Sequence, residues 1–507
     1  MKKLINQGFK WYLSHNYKHI EHYMQEPHRV QEQWLKQLLQ TNRHTEMGRI
    51  FDFKSIKTYE DFAARMPIRD YEYFKPFIDR MMYGEKDVLW TGVVRWFSKS
   101  SGTTNDKSKF IPVTSQSLKQ CHMRGTWDAM SIMYENNPNS LCFQEKTVLM
   151  GGSTVAFEPF PKTRIGDVSG IIMQHSPFCS RPFMSPDFET LIMTNFEEKI
   201  ERMAKLLPKE NLAMFCGIPT WTVVLFKRIL ELTGKNNLLE VWPDFEAYMH
   251  GGVSFAPYRE QFKQFIPKEN FAYQEIYNAS EGFFAIQDNH KGDDMLLLLD
   301  NGIFYEFLPV SEWDKEYPKA IPLHEVEPFV NYALVITTNA GLWRYTPGDT
   351  VMFTSTSPYK IKVTGRTKQY VNAFGEEVMV SNTDKALAET CALFSASVSE
   401  YTVAPIYFGE KGKGGHEWIV EFDNPPKDIE RFNEELDNNL QRVNSDYEAK
   451  RFKGMALQRL ILRIVPRGTF YNWLKSKGRI GGQTKVPRLA NDRKYVEDIL
   501  NFSASTI

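Results

Sequence analysis

The segment Ser98 to Pro112, SKSSGTTNDKSKFIP, is the most informative stretch of the chain. Ser100, Ser101, Thr103 and Thr104 surround Gly102, with Lys99, Lys107 and Lys109 close by. Hydroxyl and backbone N–H donors backed by ammonium charge suit a polyphosphate. The pattern is not that of P-loop NTPases, because no second glycine precedes a Lys-Ser or Lys-Thr pair in the required register. By composition alone, the segment reads equally well as a solvated turn before a strand. Three downstream segments add to it. Tyr277-Asn278-Ala279-Ser280-Glu281-Gly282 sets a hydroxyl beside a carboxylate after a strand pattern, a pairing suited to a phosphate or its Mg²⁺. Tyr345-Thr346-Pro347-Gly348-Asp349 puts an aspartate after a Pro-Gly turn, where a carboxylate can accept both hydroxyls of a ribose. Gly365-Arg366-Thr367-Lys368 is followed by NAFGEE, Asn372 to Glu377. Each alone is an ordinary turn; the order and spacing carry the signal.

The elements around these segments change character along the chain. The first 80 residues read as helical, with Trp34, Leu35, Leu38 and Leu39 on one face. From about Trp90, short β-rich runs alternate with helical patterns: Lys146 to Met150, Leu212 to Phe215 before a helix at Thr220 to Leu232, Ala247 to Met249, and Tyr273 to Tyr277. Strands separated by helices of that length imply a layered α/β domain with a largely parallel sheet. Leu296 to Phe307 and Leu334 to Tyr345 are expected to fold as antiparallel hairpins about Asp300-Asn301-Gly302 and Asn339-Ala340-Gly341, forming a β-subdomain. After Gly365 the pattern is that of a small α+β domain. The expected division is a large domain over 1–368 and a small C-terminal cap over 369–507, joined by a short hinge.

Composition narrows the function classes. The 507 residues hold 62 basic and 62 acidic side chains, so no bulk positive charge is available to bind nucleic acid. The longest apolar runs are about five residues, against roughly 20 for a membrane span. Polar residues Asn6, Gln7, Lys10 and His15 interrupt any signal-like stretch after Met1-Lys2-Lys3, which reads as a cytoplasmic protein. The five cysteines are widely spaced, with no Cys-x-x-Cys pair, and read as buried thiols.

Taken in order, the four segments resemble the motifs of the acyl-adenylate-forming superfamily. Trp34 to Gly48, Tyr59 to Arg80, Gly84 to Trp90, the SSGTT loop, Gly341 to Val351 (GLWRYTPGDTV) and Gly482 to Arg488 (GQTKVPR) narrow the resemblance to the Gretchen Hagen acyl acid amido synthetases, first known as auxin-responsive plant proteins. The resemblance implies roles residue by residue. Ser100, Ser101, Gly102, Thr103 and Thr104 match the phosphate loop, with Lys107 or Lys109 as charge partner. Tyr277, Ala279, Ser280 and Glu281 match the segment lining adenine and the α-phosphate, Glu281 as the Mg²⁺ contact and a catalytic group. His250-Gly251-Gly252 matches a loop against adenine and the acyl group. Asp349 matches the ribose ligand, Arg366 its neighbour, and Lys485 a mobile lysine that reaches the acyl phosphate. His122, Arg124 and Trp127 lie where the family lines its acyl pocket, although on a helix such residues also serve as packing. Two departures stand out: Asp106 replaces a usual loop glycine, and Thr346-Pro347 replaces a usual arginine and valine.

The activity implied is ATP- and Mg²⁺-dependent adenylation of a small carboxylic acid, followed by transfer of the acyl group to an amine, an amino acid by preference. The chain is expected to be a monomer needing no carrier protein, since no module of carrier size is left over. Two other readings share many of these residues: thioester formation with CoA, and a non-catalytic sensor of an acyl acid or nucleotide.

Overall fold

The computed structural model describes residues 2–100, 109–176, 178–252, 255, 258–313, 315–367, 370–371, 376, 378–408, 413–451, 457–477 and 485–505. The chain divides into two compact units, one formed by Met1–Gly252 with Lys268–Lys362, the other by Val253–Pro267 with Val363–Ile507. The architecture is mixed α/β, with a large sheet-based unit and a small α+β unit.

The N-terminal 80 residues are helical, as the periodicity requires. Helices span Lys2–Gln25, Pro27–Asn42, Glu46–Ile50, Tyr59–Arg65 and Tyr71–Met82. Their boundaries follow local chemistry. Pro27 opens the second helix, where its missing N–H costs nothing. Thr58 and Asp61 form a reciprocal capping box, and Asp70 caps the helix that begins at Tyr71. Leu35, Leu38 and Leu39 are buried in the main core, while Trp34 at its margin donates its indole N–H to Asp300 Oδ1 at 2.6 Å.

These helices pack with a twelve-stranded sheet. Its strands lie in the spatial order Ile321–Pro322, Ile303–Pro309, Asn331–Thr338, Asp349–Thr356, Tyr359–Arg366, Met295–Leu297, Gly282–Ile286, Ala272–Ala279, Ala247–Gly251, Leu212–Gly217, Lys146–Leu149 and Met184–Ser185. From Ala272–Ala279 to the Met184–Ser185 edge the pairings are parallel, the sheet of a layered α/β domain. The antiparallel strands continue the same sheet. A second sheet of four strands carries the paired strands Trp96–Ser100 and Lys109–Val113.

One expected hairpin does not form. Met295–Leu297 pairs with Gly282–Ile286 and Tyr359–Arg366, while Ile303–Pro309 pairs with Ile321–Pro322 and Asn331–Thr338. The turn at Gly302 is real, with φ of +81°. The strands on either side diverge, because Gln31 takes up backbone groups a closing ladder would use. Its buried amide donates to Leu299 O at 2.8 Å and Ile303 O at 3.0 Å and accepts from Tyr305 N at 2.8 Å. The Leu334 to Tyr345 turn does close: Ile336 and Tyr345 exchange backbone hydrogen bonds of 2.9 and 2.8 Å.

In the small unit, strands Ser397–Phe408, Lys413–Asn424 and Ile461–Val465 form a three-stranded sheet. Helices Val380–Phe394 and Ile429–Val443 supply Leu387, Phe432 and Leu436 to a core with Val403, Trp418 and Val420. The helix Arg259–Phe265 groups with this unit, although it lies in sequence between two strands of the large sheet.

Candidate active site

The site of the large unit is built at strand ends. Ser100 and Lys109 face each other in register on the antiparallel strands Trp96–Ser100 and Lys109–Val113, at the two ends of the segment expected to bind phosphate. Ser101, Gly102, Thr103, Thr104 and Lys107 lie outside the described residues. The Lys109 ammonium lies 5.6 Å from the centre of the Tyr71 ring, and Tyr71 OH accepts from Phe110 N at 2.9 Å. Two residues before Ser100, the buried Ser98 donates its hydroxyl to Ser280 Oγ at 2.9 Å. The strand Trp96–Ser100 is thereby tied to the second motif.

That motif is the turn of a tight hairpin. Ala272–Ala279 pairs with Gly282–Ile286 through Ala279 and Gly282, so Ser280 and Glu281 form the whole connection. Both are nearly buried, at 8% and 9% exposure. Tyr345 OH donates to Glu281 Oε1 at 3.4 Å, and Tyr277 OH donates to Asp349 Oδ2 at 2.6 Å. Tyr345 and Asp349 arrive on the segment that closes back from Asn331–Thr338. Three sequence motifs, far apart in the chain, thus meet through Ser98, Ser280, Glu281, Tyr345, Tyr277 and Asp349.

Arg344, between Trp343 and Tyr345, makes its contacts elsewhere. Held at a positive φ of 45°, it pairs with buried Glu306 at 2.7 Å and donates to the carbonyls of Ala63 and Met66 at 2.9 and 2.7 Å. Its guanidinium therefore anchors the turn that presents Tyr345 and Asp349. A buried charge pair broken on one side costs about 3–5 kcal/mol.

The neighbouring strand Ala247–Gly251 runs parallel to Ala272–Ala279 and ends in the His250-Gly251-Gly252 segment. A Cβ at Gly251 would lie 2.3 Å from Ile276 O, closer than any side chain tolerates, and Gly252 adopts φ of +83°. The two glycines let this backbone approach the motif strand. His250 is buried, its ring stacked with Tyr248 at 5.4 Å.

The expected acyl-pocket residues separate. Ser117–Met123 is π-helical, followed by an α-helix over Arg124–Asn136; a wide π turn shifts which residues share a face. His122, in the π turn, is 1% exposed and lies with Asn278, the motif residue just before Ala279 and Ser280. Burial drives its pKa down to about 4 against the opposing effect of the Asn278 side chain, so the ring is neutral at physiological pH. Its Nδ1 has no hydrogen-bond partner among the described residues. The adjacent Cys121 accepts from Phe283 N at 3.2 Å, and a Cβ at Gly125 would strike the Phe283 ring at 2.5 Å, so this turn lies close against the motif hairpin. Arg124 acts instead on the charges of His19 and Asp128. Trp127 packs with Phe9, Tyr12 and Phe143 at 6.2, 5.8 and 6.3 Å between ring centres.

Arg366 and Lys485 belong to the small unit. Arg366, half-buried, ends the strand Tyr359–Arg366. Lys485, also half-buried, begins the described segment after 477. Lys368 and most of the NAFGEE stretch lie outside the described residues; Glu376 of that stretch is buried and pairs with His416 at 2.9 Å.

Among the described residues no group of three or more His, Cys, Asp or Glu side chains is placed to hold a metal ion. Mg²⁺ keeps several waters and takes one or two carboxylates together with substrate phosphates. A single nearly buried carboxylate, Glu281, beside a hydroxyl turn fits that sparse donor set.

The sequence reading named Tyr277, Glu281 and Asp349 but passed over Ser98, Tyr345 and Arg344. Tyr345 carried a signal, standing four residues before Asp349 in the same motif. Ser98 carried none, since its partner lies 182 residues away.

Comparison with known proteins gives a consistent picture. Residues 16–149 and 154–271 match the model of the GH3 family N-terminal domain, 296–366 that of the GH3 family central domain, and 381–494 that of the GH3 family C-terminal domain. An indole-3-acetic acid-amido synthetase of Arabidopsis thaliana is 23% identical, over 93% of this chain and 90% of its own. A 4-substituted benzoates-glutamate ligase of the same plant is 21% identical, over 92% and 94%. A jasmonoyl-L-amino acid synthetase of Nicotiana attenuata is 23% identical, over 91% and 90%. Among solved structures, the GH3.15 acyl acid amido synthetase superposes with a TM-score of 0.75 at 17% identity, covering 93% of both chains. A 2-hydroxyisobutyryl-CoA ligase superposes at 0.60 with 13% identity, covering 94% and 91%.

Proposed function

The chain belongs to the GH3 family, and from that premise we propose that it adenylates a small carboxylic acid with ATP and passes the acyl group to an amino acid, as a ligase forming an acid-amino acid amide. The observation that carries the reading is the convergence of the Ser98–Ser280 contact, Glu281 and the Tyr277–Asp349 pair at adjoining strand ends.

In the first half-reaction the substrate carboxylate oxygen attacks the α-phosphorus, a new O–P bond forms, and the bond to pyrophosphate breaks. Charge builds on the phosphoryl oxygens, and preoriented donors and cations lower its cost. Ser100, Ser101, Thr103, Thr104 and the N–H of Gly102 would hold the outgoing phosphates, with Lys107 or Lys109 supplying positive charge. Ser280 would donate at the α-phosphate, and Asp349, oriented by the Tyr277 hydroxyl, would accept from the ribose hydroxyls. Glu281 would hold Mg²⁺, which when bound neutralises phosphate charge. Gly251 and Gly252 would let the adenine approach the backbone, Arg366 would stand as the neighbour of the ribose ligand, and Lys485 would supply a cation to the acyl phosphate. In the second half-reaction the amine attacks the acyl carbon, AMP leaves with the electron pair of the acyl–oxygen bond, and the amine loses a proton. Water competes at that step, so the adenylate must be sheltered.

On this reading the enzyme acts as a cytoplasmic monomer on free acid and free amino acid, with no carrier protein. A screen of carboxylic acids for pyrophosphate release, run with and without mixed amino acids, tests it. Release that depends on an acid is expected; none with any acid would leave the sensor reading in its place.

A further inference from the structure

Lys485 lies three residues before Arg488, in the segment Lys485-Val486-Pro487-Arg488. The base of this segment is unusually well fixed. Thr402 donates its hydroxyl to Pro487 O at 2.7 Å, Val403 N donates to Arg488 O at 2.8 Å, and Ala490 N donates to Val403 O at 3.2 Å. Val403 and Leu489 form an isolated parallel bridge, so residues 487–490 are tied alongside Ser397–Phe408. Pro487 holds its own φ near −65°, removing one more degree of freedom.

The Arg488 side chain supplies the remaining restraint. Its guanidinium pairs with Glu400, donates to Tyr401 O at 3.1 Å, lies over the Tyr401 ring at 4.5 Å, and donates to Tyr258 OH at 3.2 Å. Arg488 and Glu400 are each 11% exposed, so the pair is largely desolvated. Tyr258 is buried and opens the helix Arg259–Phe265, which Gln261 fastens to Asp423 at 2.7 Å. A clamp in which one planar guanidinium stacks on a ring and donates to three separate acceptors is specific to arginine. Nothing in the chemistry of an acyl transfer requires a buried Arg–Glu–Tyr cluster at this place. Its effect is to set where the chain leaves the sheet toward Lys485. Three residues of chain span about 10 Å at most, so an error at the anchor displaces the backbone from which the Lys485 side chain reaches.

We propose that Arg488, held by Glu400, Tyr401 and Tyr258, is a positioning residue that sets the register of Lys485 for adenylate formation. The inference rests on the reading of Lys485 as the lysine of the first half-reaction. A shift of about 1 Å in a reacting group costs about 100-fold. Arg488→Lys keeps the charge but loses the fork, and Tyr258→Phe removes one hydroxyl with no change of volume.

The test measures two rates on the full-length protein: pyrophosphate release with ATP, Mg²⁺ and an acid turned over in the screen, and amide formation from the synthetic adenylate of that acid. Lys485→Ala, Arg488→Lys, Tyr258→Phe and the double variant Lys485→Ala/Arg488→Lys are compared. Arg488→Lys is expected to slow pyrophosphate release at least tenfold and Tyr258→Phe severalfold, with amide formation within twofold of the parent. The double variant is expected to be no slower than Lys485→Ala alone, since both changes act through one group. Equal slowing of both steps, or additive slowing in the double variant, would overturn the inference. If Lys485→Ala shows the split and neither anchor variant does, the inference alone fails; if Lys485→Ala spares pyrophosphate release, the lysine assignment fails and takes the inference with it.

Discussion

The strand-end motifs and the helix that follows Lys109–Val113 carry equally suggestive side chains, yet the fold employs them differently. At the strand ends, Ser280, Glu281 and Asp349 are each held by a partner from another motif, Ser98, Tyr345 and Tyr277. On the helix, His122 lies with Asn278 of the motif hairpin, while Arg124 acts on the charge of His19 and Trp127 packs with Phe9 and Tyr12 of the first helix. A turn residue has its direction set by the strands it joins. A helix residue has its direction set by rotational phase, and the π turn at Ser117–Met123 resets that phase just where the sequence pattern is read.

That contrast can be sharpened from its chemical end first. On the proposed role of Lys485 in adenylation, Lys485→Ala is expected to slow pyrophosphate release by about 10²–10³. Transfer from a pre-made adenylate should be much less affected. Rapid-quench measurement of the two half-reactions checks this, and equal slowing of both points to a folding fault. Asp349→Ala is expected to weaken ATP by about 1.5–3 kcal/mol for each ribose hydrogen bond lost. Calorimetry on the folded variant decides it: unchanged ATP affinity would remove Asp349 from the ribose.

The helix side predicts smaller effects. His122 stays neutral in the fold down to a pH of about 4, whereas the ordinary imidazole value is 6.5. Between those values the unfolded chain binds the extra proton, so stability from this group is complete above pH 6.5 and is lost as the pH falls toward 4. By pH 5 the loss amounts to about 2 kcal/mol. Denaturant unfolding of the parent and His122→Asn at pH 7 and pH 5 should show a smaller acid loss in the variant; parallel curves would contradict the buried neutral ring. Trp127→Phe should cost only about 1 kcal/mol of stability and leave acid preference unchanged. A changed ranking of acids would place Trp127 in the acyl pocket.

Much of the fold was legible because its signals are local. The apolar spacing at Leu35, Leu38 and Leu39 marks a helix face, and Leu212 to Phe215 followed by a helix marks a parallel βα unit. What was not legible depends on contacts distant in sequence. The Leu296 to Phe307 segment carries a proper turn, but a glutamine 270 or so residues earlier takes the hydrogen bonds that would have closed it. Similarly, nothing near Arg259 indicates that its helix groups with residues after 363. At the site, Glu281 and Asp349 were legible as chemistry, whereas Ser98 and Tyr345 became visible only when their partners were placed.

The central claim, that an acyl adenylate is made and given to an amine, is most directly tested by the product. The full-length protein is incubated with ATP, Mg²⁺, an acid that releases pyrophosphate, and either mixed amino acids or CoA, and the products are identified by mass spectrometry. The account predicts AMP and an acyl-amino acid amide in the first mixture and no acyl-CoA in the second. An acyl-CoA product with no amide would contradict the amide-forming step while leaving adenylation of the acid in place.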